Sequence, residues 1–182
     1  MPLSRTSRAI VLAAGGSTRM GRPKGLLLVE GVPLVCLHVA RFLGAGLDVT
    51  VVLGAHAEEY AAALGARFPA EARCTLVYNH AWASTAMADS LSIAHRDGAA
   101  LVTPVDVPPA RPETLAALLA VEGDAVASHH GAPGHPIQLS APLGPGQRLD
   151  ERLALAARVD VADPDCLLNL NTPAEWARWR AG

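Results

Sequence analysis

The sequence predicts an α/β domain of three layers built on a mainly parallel sheet, and three observations predict it. Short apolar runs with β-branched residues recur at residues 9–13, 49–53 and 99–103, as strands covered on both faces require. Segments with the apolar spacing of helices lie between them, which makes the strands parallel through right-handed crossovers. A chain of 182 residues with 51% hydrophobic and 18% charged residues is long enough to bury a core and is no disordered polymer.

Each element has its own justification. Ala9 to Ala13 is an apolar first strand, and Pro33 to Ala45 carries helical apolar spacing. Val49 to Leu53 is a second strand, Ala57 to Leu64 a short helix, and Cys74 to Tyr78 a third strand. Met87 to His95 is again helical, and Ala99 to Thr103 is a fourth buried strand. Pro112 to Ala120 reads as a helix that places proline at its start, where no amide donor is needed. Ala125 to Ser128 and Ile137 to Leu139 read as later strands, followed by a helix near Glu151 to Ala157. The last helix runs from Pro173 to about Arg180 with Thr172 as its N-cap. Gly144-Pro145-Gly146 is the expected flexible loop. No repeat or linker divides the chain, so residues 1–182 are expected to form a single Rossmann-like domain.

The formal net charge of −2 gives no reason to expect nucleic acid as a partner. The apolar runs are interrupted well before the length of a membrane span. Met1 to Arg8 is followed by the first strand rather than by a leader's apolar region, and a cytoplasmic protein is expected. Cys36, Cys74 and Cys166 are far apart and form no CxxC spacing, which predicts three reduced thiols.

The chemistry begins where the first strand ends. Gly15 and Gly16 follow Ala14 directly, and Arg19 and Lys24 place two cations a few residues on. A turn of bare N–H groups with two cations suits a polyanion such as a nucleoside triphosphate. A P-loop is excluded: Gly16 and Gly21 have its spacing, but Arg22-Pro23-Lys24 replaces Gly-Lys-Ser/Thr. A dinucleotide fingerprint is excluded as well, because no residue separates Gly15 from Gly16 and Pro23 would interrupt the helix. Lys24 is read as an exposed loop cation that supports no core. The fourth strand ends in Thr103-Pro104-Val105-Asp106-Val107-Pro108-Pro109, a stiff segment presenting one carboxylate. Asp106 reads either as a Mg²⁺ ligand beside phosphates or as the cap of the helix near Pro112.

The run Leu12-Ala13-Ala14-Gly15-Gly16-Ser17-Thr18-Arg19-Met20-Gly21-Arg22-Pro23-Lys24 resembles the signature of the molybdenum cofactor cytidylyltransferases and guanylyltransferases, and more remotely that of the sugar-phosphate nucleotidyltransferases. The resemblance continues at Asp106 with Pro108, at Gly134-His135-Pro136, and at Asn169-Leu170-Asn171-Thr172-Pro173. It implies transfer of a nucleoside monophosphate from an NTP to molybdopterin with Mg²⁺ as cofactor. It also implies release of pyrophosphate and a transient molybdoenzyme or chaperone partner. Leu12, Ala13, Ala14, Gly15 and Gly16 would then read base and ribose, Arg19 would hold the β- and γ-phosphates, and Lys24 the α-phosphate. Asp106 and Asn171 would face the metal, Asn79 the nucleotide, and Ser90 and His135 the acceptor.

Three departures bear on specificity. Cytidylyltransferases of this family show D-x-D-T-P where this chain has Asn169 and Asn171, as guanylyltransferases do. The family's glycine within W-x-x-G-[LM]-x-x-S is Ala86 here, with one extra residue before it. L-A-A-G, as in Leu12 to Gly15, accompanies CTP, whereas L-A-G-G accompanies GTP. CTP is the expected donor. The alternatives are a GTP-dependent enzyme, a transferase for another phosphorylated metabolite such as a sugar phosphate, and a non-catalytic carrier of nucleotide or molybdopterin.

Overall fold

This computed structural model describes residues 6–17 and 20–181. Arg19 lies outside the described residues.

The central sheet has seven strands in the order β5-β4-β1-β6-β8-β7-β9. β1 (Arg8–Ala13) lies in the middle, parallel to β4 (Asp48–Leu53) on one side and β6 (Ala100–Pro104) on the other. β5 (Cys74–Tyr78) extends the first side in parallel. β8 (Ala132–Leu139) is antiparallel to β6 and to β7 (Ala125–His129), and β9 (Ala157–Asp160) pairs parallel with β7. The mainly parallel sheet is therefore as expected, with one reversed strand.

Two-sided burial explains why β1 is so apolar. Ala9, Val11 and Ala13 point into one core, and Ile10, Leu12 and Ala14 into the other. The first core is closed by α1 (Leu34–Gly44), α2 (Ala57–Gly65) and α4 (Pro112–Leu119), through Val39, Phe42, Tyr60, Leu115 and Leu118. The second is closed by Leu91 of α3 (Met87–Ala94) and by Leu149 and Leu153 of α5 (Leu149–Ala154). α6 (Pro173–Ala181) starts after Thr172, whose hydroxyl accepts the Glu175 amide at 3.2 Å. Thr172 is thus the expected N-cap.

Three elements differ from the sequence reading. A two-stranded hairpin, β2 (Leu28–Val29) with β3 (Val32–Pro33), precedes α1; it is too short for periodicity to reveal. The helix expected near Glu151 to Ala157 ends at Ala154, and β9 begins at Ala157. Gly134-His135-Pro136 lies inside β8 rather than before it, because β7 and β8 turn tightly at His130 and Gly131, both with positive φ. Gly144 to Gln147 forms a closed turn, with the Gly144 amide donating to Gln147 Oε1 at 3.1 Å.

The chain grows from β1 outward through β4 to β5, then returns to the other flank of β1 as β6. The crevice between β1 and β6 is therefore the point where strand order reverses, and ligands of open α/β sheets bind there beyond the C-terminal strand ends. No helix among the described residues is long and apolar enough to cross a membrane.

Candidate active site

A cleft of about 190 Å³ opens at that reversal point. Its floor is Leu12, Ala14, Gly15 and Ser17 at the end of β1 and just beyond it, and Pro104, Val105 and Asp106 at the end of β6 and just beyond it. Its far wall is Trp82, Thr85, Ala86, Met87 and Ser90, from the loop before α3 and the helix itself. Gly15 is exposed, with open space where a Cβ would stand. Ser17 and Gly21 of this turn are left-handed, at φ 50° and 70°.

Lys24 closes the cleft from below. Its ammonium donates to Asp106 Oδ2 at 2.9 Å and to Asn171 Oδ1 at 2.5 Å. Residues 82 and 147 positions apart in sequence thus meet at one cation. The expected exposed cation is corrected: the Lys24 side chain is 14% exposed and sits in an ion pair. Its backbone is held on both sides. The Lys24 amide donates to Ser17 Oγ at 3.1 Å, and the Gly25 amide to Tyr60 Oη at 3.0 Å. A Cβ on Gly25 would stand 2.6 Å from both Tyr60 and Val105. Glycine is required there by close approach.

Asp106 is positioned by its backbone. Val105 N–H donates to Leu12 C=O at 2.9 Å, and Leu170 N–H donates to Asp106 C=O at 2.6 Å. Leu170 is buried and anchors the segment that carries Asn171. The same segment leans on β8: a Cβ on Gly134 would stand 2.1 Å from Cys166 C=O. The helix-capping alternative for Asp106 is overturned, because Asp163 does that work. Its Oδ2 accepts the Arg111 amide at 3.3 Å and the Thr114 hydroxyl at 3.2 Å, at the start of α4.

His38 of α1 braces the same loop. It is fully buried, and its Nε2–H donates to Val107 C=O at 3.0 Å. Desolvation pushes its pKa from 6.5 to about 4, against the smaller opposing effects of the Val107 and Val105 carbonyls and Asp106. The folded protein keeps His38 neutral where the unfolded chain would take up a proton. Stability is therefore complete above about 6.5 and falls as pH drops toward 4. The slope is expected to approach 1 kcal/mol per pH unit, order of magnitude, from this residue. His95 and His135, both pushed down by desolvation, add to it. Urea unfolding across this range should show a shallower slope in His38→Gln. An unchanged slope would remove His38 from the explanation.

Asn79 stands behind the cleft wall rather than on it. Its side-chain amide donates to Thr85 Oγ1 and Ser90 Oγ, both at 2.9 Å, and its oxygen accepts the Ala81 amide at 3.0 Å. It is buried, and it organises the wall. Ser90 does reach the cleft. His135 is half-buried and does not line the cleft; it is close enough to Asp106 to feel its charge, and its Nδ1 has no hydrogen-bond partner among the described residues. Asn169 is exposed. Among the described residues no three His, Cys, Asp or Glu side chains converge as a metal cluster. The thiols of Cys36 and Cys166 are pushed up to about 11, chiefly by burial, so neither is a nucleophile near neutral pH.

Sequence reasoning missed Ser17, Tyr60 and His38. Ser17 was legible as a hydroxyl inside the glycine turn. The other two sit at ordinary core positions of helices, and only packing reveals what they hold.

Residues 9–160 match the family model described as the MobA-like NTP transferase domain. The bifunctional protein GlmU of Anaeromyxobacter sp. (strain K) is 36% identical over 166 residues, covering 87% of this chain and 33% of that protein. A molybdenum cofactor guanylyltransferase of Burkholderia orbicola (strain MC0-3) is 45% identical over 71 residues, covering 38% of this chain and 34% of that protein. The chain thus spans about a third of the length of these curated relatives. A nucleotidyl transferase from Methanothermobacter thermautotroptrophicus shares the fold, with a TM-score of 0.74 at 24% identity, covering 96% of this chain and 95% of that one.

Proposed function

We propose, from the premise that this chain belongs to the MobA-like NTP transferase domain family, that it transfers CMP from CTP to a phosphate of molybdopterin and releases pyrophosphate. The observation that carries the reading is the convergence of Lys24, Asp106 and Asn171 at the end of the β1–β6 crevice.

Two oxygens from separate elements converge on one cation, and a hard divalent ion accepts such oxygens. The residues therefore fit Mg²⁺, which Asp106 and Asn171 would hold from the protein side. When bound, Mg²⁺ offsets the charge that develops on the reacting phosphate oxygens.

The chain's own residues supply position and charge. Leu12, Ala14 and Gly15 form the floor against which base and ribose would lie. Lys24, with Arg19 as the second cation of the turn, binds the triphosphate and neutralises the transition state. Ser90, on the far wall of the cleft, would meet an acceptor phosphate, while His135 stands near Asp106 without lining the cleft. That phosphate is already largely ionised near neutral pH, so in-line attack on the α-phosphorus needs placement more than a protein base.

Ala14 supports CTP. It is buried in the floor, its C=O accepts the Ala55 amide at 3.1 Å, and its Cβ faces Gly54. A Cβ here narrows the base end, and cytosine is smaller than guanine. Ala14→Gly is expected to shift kcat/KM toward GTP by about tenfold, within the 1–3 kcal/mol that one methyl commands. Pyrophosphate release with each nucleotide and molybdopterin tests this, and a wild-type preference for GTP would overturn it. Asn169 and Asn171, with the guanylyltransferase relative, favour GTP as the second reading. They lie by the metal side, away from the base, so Ala14 weighs more.

A further inference from the structure

The Lys24 ammonium contacts both oxygens that would face a metal, Asp106 Oδ2 at 2.9 Å and Asn171 Oδ1 at 2.5 Å. A divalent ion bound to the same two oxygens would lie within a few ångströms of that ammonium, and two cations so close repel strongly. The two cannot hold the position together. The ion pair also neutralises the only carboxylate that reaches the cleft among the described residues. Two oxygens are too few for Mg²⁺, which sheds water reluctantly and is ordinarily held jointly by carboxylates and substrate phosphates.

Lys24 is built to move at its tip alone. Ser17 Oγ and Tyr60 Oη fix the backbone on either side of Lys24 and Gly25, and Gly25 is wedged against Tyr60 and Val105. What remains free is the four-carbon stem, which swings a point charge without moving the loop.

We propose that Lys24 is a placeholder cation: in the free protein it occupies the metal position between Asp106 and Asn171, and it yields that position when a nucleotide's phosphates draw it away. The metal ion then enters with the nucleotide and not before it. The inference rests on Asp106 and Asn171 being the metal-side ligands.

Mn²⁺ binding to the full, nucleotide-free chain tests it, with free Mn²⁺ measured by electron paramagnetic resonance. Lys24→Met is expected to bind Mn²⁺ about tenfold more tightly than wild type, or better, because a cation beside the site has gone. Lys24→Gln should behave alike, and thermal unfolding shows that each variant is folded. The gain should vanish in Lys24→Met/Asp106→Asn. Equal Mn²⁺ affinity in wild type and both single variants would overturn the exchange. If Asp106→Asn then still loses Mn²⁺ binding in the presence of CTP, the metal reading stands and only the placeholder falls. A gain that persists without Asp106 would overturn both.

Discussion

Lys24→Ala is expected to lower turnover about a hundredfold or more, the scale of a lost preorganised transition-state donor. The argument is positional. Lys24 is the cation whose backbone is over-determined, by Ser17, by Tyr60 and by the Gly25 wedge. Such fixation is costly to build for a solvated side chain and useful for one that meets a phosphate. Stability should change little. The pair is partly open, with Lys24 14% and Asp106 24% exposed, so water reaches the carboxylate left behind and the loss stays nearer the roughly 1 kcal/mol of an exposed pair than the several of a fully buried one. Pyrophosphate release and thermal unfolding on the same preparation separate the two effects. Wild-type turnover in a folded Lys24→Ala would sink the role.

The second large effect is expected at Asp106. Asp106→Asn should keep its fold, since the Leu170 amide bonds the backbone carbonyl and not the side chain. It should keep some CTP binding, because Lys24 and the Leu12 to Gly15 floor are untouched. Activity should fall by about two orders of magnitude, and the Mg²⁺ needed for half-maximal rate should rise, since a neutral amide is a poorer ligand for a hard cation. Rates across a Mg²⁺ titration read both quantities. Full activity at ordinary Mg²⁺ would reduce Asp106 to a counter-ion for Lys24.

These two residues show how far the sequence was legible. Each follows a strongly apolar strand, and each stands in a segment of distinctive glycine or proline content, so strand ends alone mark them as candidates. Their 2.9 Å contact was not legible, because it depends on β1 and β6 being neighbours. Asn79 illustrates the opposite limit. A polar residue after a strand reads equally as a ligand group or as a hub for its loop, and only the three hydrogen bonds of its side-chain amide decide for the hub. Asp106 and Asp163 could each have capped α4; the choice follows from which loop folds back onto Thr114.

By itself the sequence determined the layer architecture, because strands apolar on both faces and helices apolar on one have few ways to bury what they expose. It also marked the turn after the first strand as the candidate nucleotide site, because its glycines and cations are local in the chain. Only the tertiary structure decided the reversed strand β8, the edge strand β9 and the meeting of Lys24, Asp106 and Asn171. Those depend on contacts between segments up to 147 residues apart. Such contacts leave no period in the sequence, since each partner satisfies its own local rules whether or not the other is there.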